Sequence, residues 1–162
     1  MESLTRPEEG DHARPALTAI AAGLLRATGP GEPSSEASIV AAEAAYAQLA
    51  TRLVVSLGSL GFDALWTRAL VLVARTAPMG DRTHTTAALG TGPPGLRELV
   101  RGCDPTATHD LLLAVLASFL GLLVTFIGEP LTFRIIHQLW PALPTDAADA
   151  APDQKGDNHD HV

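Results

Sequence analysis

The sequence predicts an all-α protein, a four- to five-helix bundle built from two αα-hairpins. Three observations predict it. Apolar residues recur at helical spacing through the segments 36–57, 60–76 and 105–127. Glycines stand where such runs stop, at Gly29, Gly58 and Gly128. The chain also aligns with itself without gaps when Gly58 is placed on Gly128. Leu53-Val54-Val55 then falls on Leu123-Val124-Thr125, Leu57 on Ile127, Leu65-Trp66 on Ile135-Ile136 and Leu70 on Trp140. Each copy reads as a long helix, a glycine turn and a shorter amphipathic helix. Gly58 and Gly128 are therefore expected to be equivalent structural turns, with the two long helices facing each other at the centre.

Taken in order, residues 1–14 are low in apolar content and broken by Pro7 and Gly10, which predicts a disordered leader. A single helical domain is expected over 15–144. Its first helix, about 15–28, opens on Pro15 and puts Leu17, Ile20, Ala21, Leu24 and Leu25 on one face. Residues 28–36 read as a linker in which Ser34 or Ser35 can cap the next helix. That helix, about 36–57, carries Glu43, Gln48 and Arg52 on a wetter face. Helix 60–76 follows, and then a loop broken by Gly and Pro.

A short helix is expected over 96–101. Asp104-Pro105 pairs an N-cap with a proline at the first helical position and starts the helix 105–127. That helix contains the uncharged stretch Leu111–Ile127, near the lower length limit for spanning a bilayer. It also bears a stripe of small side chains, Ala114, Ala117, Ser118, Gly121 and Thr125, which suits close helix packing in either solvent. Glu129 or Pro130 opens the last helix, 130–140, which Pro141 closes. The acidic tail 145–162 is expected to be disordered.

The formal net charge of −7 and dispersed basic residues disfavour nucleic acid and anionic lipid as general partners. Arginine supplies nearly all the positive charge, Lys155 being the single lysine, and alanine is abundant, a composition that suggests a GC-rich bacterial genome. Cys103 is the only cysteine, so the chain contains neither an intrachain disulfide nor a cysteine-based metal cage. The acidic N-terminal residues lack the pattern of a secretory signal. A cytoplasmic location is expected, with the inner membrane as the alternative.

The segments 57–70, LGSLGFDALWTRAL, and 126–140, FIGEPLTFRIIHQLW, resemble paired signatures of small uncharacterised bacterial all-helical proteins. In that group a hydrophobic-Gly-Glu turn opens each second helix. Gly128, Glu129, Leu131, Thr132, Arg134 and Trp140 fit the pattern in the second copy. Gly58, Phe62, Ala64, Leu65 and Arg68 fit in the first, where Ser59 replaces the acidic residue. The resemblance covers about half the chain and implies a soluble helical protein without carrying an activity.

Glu129 lies where two apolar segments meet and needs solvent, a helix N-terminus or a cation, with Arg134 or Arg68 as the candidate partner. With Arg134 and His137 it forms the candidate ligand-binding set. His109 and His137 lack the Asp or Glu at i+3 or i+4 that a di-metal helix pair requires, and read as surface histidines. The tail residues Asp157, His159, Asp160 and His161 offer ligand-type side chains suited to weak, adventitious metal capture. Cys103 beside Asp104 sits near a helix start but has no histidine base placed by sequence, and Trp66 and Trp140 read as packing residues.

No catalytic residue, metal site or cofactor is expected. The expected function is a non-catalytic interaction or regulatory module with a protein partner or a second copy. Two alternatives are a single-pass membrane protein spanning with Leu111–Ile127, and a small-ligand sensor or enzyme with a pocket near Glu129, Arg134 and His137.

Overall fold

The computed structural model describes residues 9–29, 34–76 and 93–143. The expected features of the leader before residue 9, of the loop 77–92 and of the tail after residue 143 lie outside them. All regular structure in the described residues is helical: α1 Glu9–Thr28, α2 Ser35–Thr76, α3 Pro93–Leu99, α4 Pro105–Ile127 and α5 Glu129–Leu139.

α2 is two helices in one run. At Gly58 the backbone leaves helical geometry, with φ 72° and ψ 162°. Tyr46 and Trp66 would lie roughly 30 Å apart along a straight helix. Instead their ring centroids are 4.7 Å apart. The chain therefore folds back at Gly58, and α2 is an αα-hairpin with arms 35–57 and 59–76. Phe62 joins the clasp edge-on to Tyr46 at 5.3 Å, and Phe119 of α4 packs edge-on to Trp66 at 5.1 Å. The Tyr46 hydroxyl faces Asp63 across the hairpin; burial, then the Asp63 charge and hydrogen bond, raise the phenol pKa above its usual value.

α4 and α5 form the second corner, where Gly128 has φ 88° and ψ 155°. These angles combine a positive φ with an extended ψ, unlike the left-handed helical conformation expected for a glycine stop, and only glycine adopts them readily. The Gly128 amide donates to the Val124 carbonyl at 3.0 Å, and the Thr132 hydroxyl donates to the Gly128 carbonyl at 2.8 Å. α5 has no side-chain N-cap, so this inward-turned threonine stiffens its first turn.

The core joins α1, both arms of α2, α3, α4 and α5, and the broadest helix contact is between α2 and α4. Along the first arm of α2 the buried positions include Ala42, Ala45, Leu49 and Leu53; along α4 they include Leu112, Val115, Phe119 and Leu123. After the corners come Phe62, Trp66 and Leu70 in one hairpin and Thr132, Ile136 and Trp140 in the other, all buried. α1 covers the bundle with Leu17, Ile20, Ala21, Leu24 and Leu25. Its Leu17 lies against Gly121 of α4, and its Thr28 hydroxyl donates to the Ala41 carbonyl of α2 at 2.9 Å.

α4 is neither a wholly buried helix nor one free on all sides. Thr108, Leu112, Leu116, Phe119 and Leu123 are buried, while the stripe Ala114, Ala117, Ser118 and Gly121 is half-buried and Thr125 is exposed.

Two boundaries differ from expectation. α1 begins at Glu9, and Pro15 lies inside it rather than at its first position. An interior proline has no N–H to donate to the carbonyl four residues back, and its ring crowds that carbonyl. α3 occupies Pro93–Leu99 instead of 96–101: its proline start precedes the apolar residues Leu96, Leu99 and Val100 that dock it in the core. α5 starts at Glu129, one of the two expected openings, directly after the corner.

α3 is held to α2 by Arg97, whose Nε donates to Glu43 Oε1 at 2.6 Å and whose Nη1 reaches Glu36 Oε1 at 3.2 Å. These two carboxylates raise the guanidinium pKa further. Asp104 caps α4 as expected, its Oδ1 accepting the Ala107 amide at 2.9 Å, with Pro105 beginning the helix. Ser34 caps α2 in the same way through Ala37, at 3.1 Å. Replacing Asp104 by alanine is expected to cost about 0.5–2 kcal/mol, with asparagine restoring most of it. Urea unfolding of the two variants measures this; equal losses for both would show that the side-chain cap does not stabilise α4.

Candidate functional site

The described surface has one notable apolar region, around the two glycine corners. Val55 is 86% exposed, Leu60 85% and Phe126 69%, with Val54 and Leu131 also exposed. Residues 53–62, LVVSLGSLGF, carry no charge, so this corner presents side chains that gain nothing from water.

Beside the corners runs a groove of about 420 Å³ between the first arm of α2 and α5. Thr51, Arg52, Val55 and Ser56 form one wall, and Leu131, Arg134, Ile135 and Gln138 the other. Both sets follow helical spacing, which places each on a single face. Val55 and Leu131 belong to both the groove and the apolar region, so the two features are continuous.

The groove is cationic. Arg52 and Arg134 line it, no carboxylate does, and neither arginine has an ion pair among the described residues. The Thr51 hydroxyl donates to the Ala47 carbonyl at 2.9 Å and keeps its acceptor lone pairs. The arrangement can bind an anionic group and an adjoining apolar one. It supplies no nucleophile or general base, since threonine and serine hydroxyls here have no activating partner in the lining.

Of the three expected ligand-binding residues, the groove contains Arg134 alone. Glu129 and His137 are exposed and do not line it. At about 100° per residue, Arg134 lies about 140° around α5 from Glu129, so the two side chains diverge. The expected ion pairs of Glu129 with Arg134 or Arg68 are not formed among the described residues. Thr51, Arg52 and Ser56, the wall contributed by α2, were not singled out from sequence as site residues. Their signal was the hydrophilic face of the first arm, on which Arg52 lies.

Among the described residues no group of three or more His, Cys, Asp or Glu is placed to hold a metal ion. Cys103 lies half-buried in the turn between α3 and α4, its amide donating to the Val100 carbonyl at 3.0 Å. His109 is on the first turns of α4.

The fold and this surface define a small helical bundle with an amphipathic groove and an apolar end. No protein-family model, curated protein or solved structure matches the chain.

Proposed function

We propose that the protein is a non-catalytic helical interaction module that associates through the apolar end formed at its two glycine corners. The observation that carries this reading is the exposure of Val55, Leu60 and Phe126 around the two glycine corners, with Val55 also lining a cationic groove. Covering a large apolar side chain contributes about 1.5–3 kcal/mol, so a few such residues suffice to drive association. A second copy of the chain presents the same surface, and a two-fold contact through it is self-complementary.

The same reading includes a duplicated architecture. Supporting it, Gly58 and Gly128 share one unusual backbone conformation. At the same offset, burial coincides at Ala42 and Leu112, Ala45 and Val115, Leu49 and Phe119, Leu53 and Leu123, Phe62 and Thr132, and Trp66 and Ile136. The resemblance to small bacterial helical proteins with paired turns belongs to this proposal, as does a cytoplasmic location.

Sedimentation of the full chain tests the association. Self-association is expected at tens of micromolar, with Leu60→Asp and Phe126→Asp together weakening it by about tenfold or more. A wild-type chain that stays monomeric at high micromolar concentration would overturn the second copy as partner.

A membrane reading draws on one observation: α4, like the run of α2 with its fold-back at Gly58, is by length and composition apolar enough to cross a bilayer. Carbonate extraction separates the two readings. Release into the aqueous fraction supports the interaction module; retention in membranes, with 111–127 protected from protease, supports spanning.

A further inference from the structure

We propose that the groove between the first arm of α2 and α5 receives an amphipathic helix bearing carboxylates, supplied by a partner protein. The proposal names a partner chemistry for the interaction module and rests on the duplicated reading of the two hairpins. In that duplication Ala47, Thr51 and Val54 of α2 correspond to Ala117, Gly121 and Val124 of α4. The α4 positions are half-buried, and Leu17 of α1 lies against Gly121. The α2 positions are exposed. α1 thus lies on this face of α4, while the equivalent face of α2, whose Thr51 also lines the groove, is open. On the equivalent face of α4 the occupant is a helix.

Charge fixes the kind of helix. Arg52 and Arg134 present two guanidiniums to the groove, and among the described residues neither has an ion pair and no carboxylate lines it. Guanidinium groups bind carboxylates with paired, planar hydrogen bonds, which a helix can meet with acidic residues spaced one turn apart. Val55, Leu131 and Ile135 supply the apolar strip against which the other side chains of such a helix pack, in the helix-in-groove mode. The whole chain carries a formal charge of −7. Long-range attraction therefore favours a basic peptide, and preference for an acidic one reports the groove itself.

The test uses the full-length protein and two fluorescein-labelled synthetic peptides of about 16 residues, long enough to gain helix on binding. One carries leucines on one helical face and glutamates on the other; its twin carries lysines in place of the glutamates. Fluorescence anisotropy is expected to show the glutamate peptide binding about tenfold or more tighter than its twin. The double variant Arg52→Glu with Arg134→Glu should invert that preference, and Val55→Ser should weaken the glutamate peptide without inverting it. All three positions are exposed, so helical content and melting temperature should stay at wild-type values. Equal affinity for the two peptides, or a preference unchanged by the double charge reversal, would overturn the proposal. A chain that remains monomeric yet shows the inverted preference removes self-association and keeps the groove, whereas self-association with no peptide preference removes the groove alone.

Discussion

Replacing Gly128 by alanine is expected to cost about 1–3 kcal/mol of unfolding free energy, and replacing Gly58 by alanine a similar amount. The cost is conformational. A Cβ at Gly58 would meet nothing within 4 Å, and at Gly128 its nearest neighbour would be Pro130 Cδ at 3.9 Å. Space is available at both corners, but a side chain at φ 72° or 88° with extended ψ clashes with its own backbone. Valine should be worse than alanine at each position because its branched Cβ adds to that clash. Gly61 is the internal control. It lies within the second arm of α2, where an added Cβ would make an ordinary contact with Leu57 at 3.5 Å. Gly61→Ala should therefore stabilise by up to about 1 kcal/mol through helix propensity. Denaturant unfolding of the variants measures all of these; a neutral or stabilising alanine at either corner would show that the chain there does not make the turn described.

Trp66→Ala is expected to be among the most damaging single substitutions, at about 3–5 kcal/mol. The indole is fully buried between Tyr46, Phe62 and Phe119 and ties both arms of α2 to α4. Trp66→Phe should behave quite differently. The smaller ring leaves a void worth about 1 kcal/mol if the surroundings do not close on it. Trp66 Nε1 is also buried without a hydrogen-bond partner, alone in this respect among the described side-chain nitrogens and oxygens. Removing such a donor recovers about 1–3 kcal/mol of desolvation penalty. The two effects oppose each other, so Trp66→Phe is expected to lie within about 1 kcal/mol of wild type. A loss as large as that of alanine would mean that the indole N–H is satisfied in solution, through water or a ring face.

The helical class and the main breaks were legible because each rests on local chemistry. Asp104-Pro105 encodes a helix start in two adjacent residues, and Leu17, Ile20, Ala21, Leu24 and Leu25 encode a face by spacing alone. The corner glycines were legible as stops, but their extended ψ was not, since that angle depends on how the following helix packs. The start of α1 was misplaced because proline suits the first turn so well that Pro15 masked the helical residues before it.

The site was less legible. Glu129, Arg134 and His137 were grouped by proximity in sequence, whereas helical rotation places Glu129 about 140° around α5 from Arg134, and His137, about 60° from Arg134, does not line the groove. The opposite wall comes from Thr51, Arg52, Val55 and Ser56, far away in the chain. Only the crossing of two helices unites the walls. The ionic contact of Arg97 with Glu36 and Glu43 was hidden for the same reason, because it depends on where a short helix docks.

Each hairpin buries one tryptophan, Trp66 in the first and Trp140 at the end of the second. The protein therefore carries an optical reporter for each half of its fold. With Trp66→Phe or Trp140→Phe, the fluorescence of the remaining indole follows the burial of one hairpin at a time. Because the closing contacts within a hairpin are local in sequence, each can form early in folding, while the packing of α4 against α2 joins distant parts of the chain. Two single-tryptophan proteins with coincident refolding rates would describe halves that condense together; separated rates would describe hairpins that form as independent pieces and then dock.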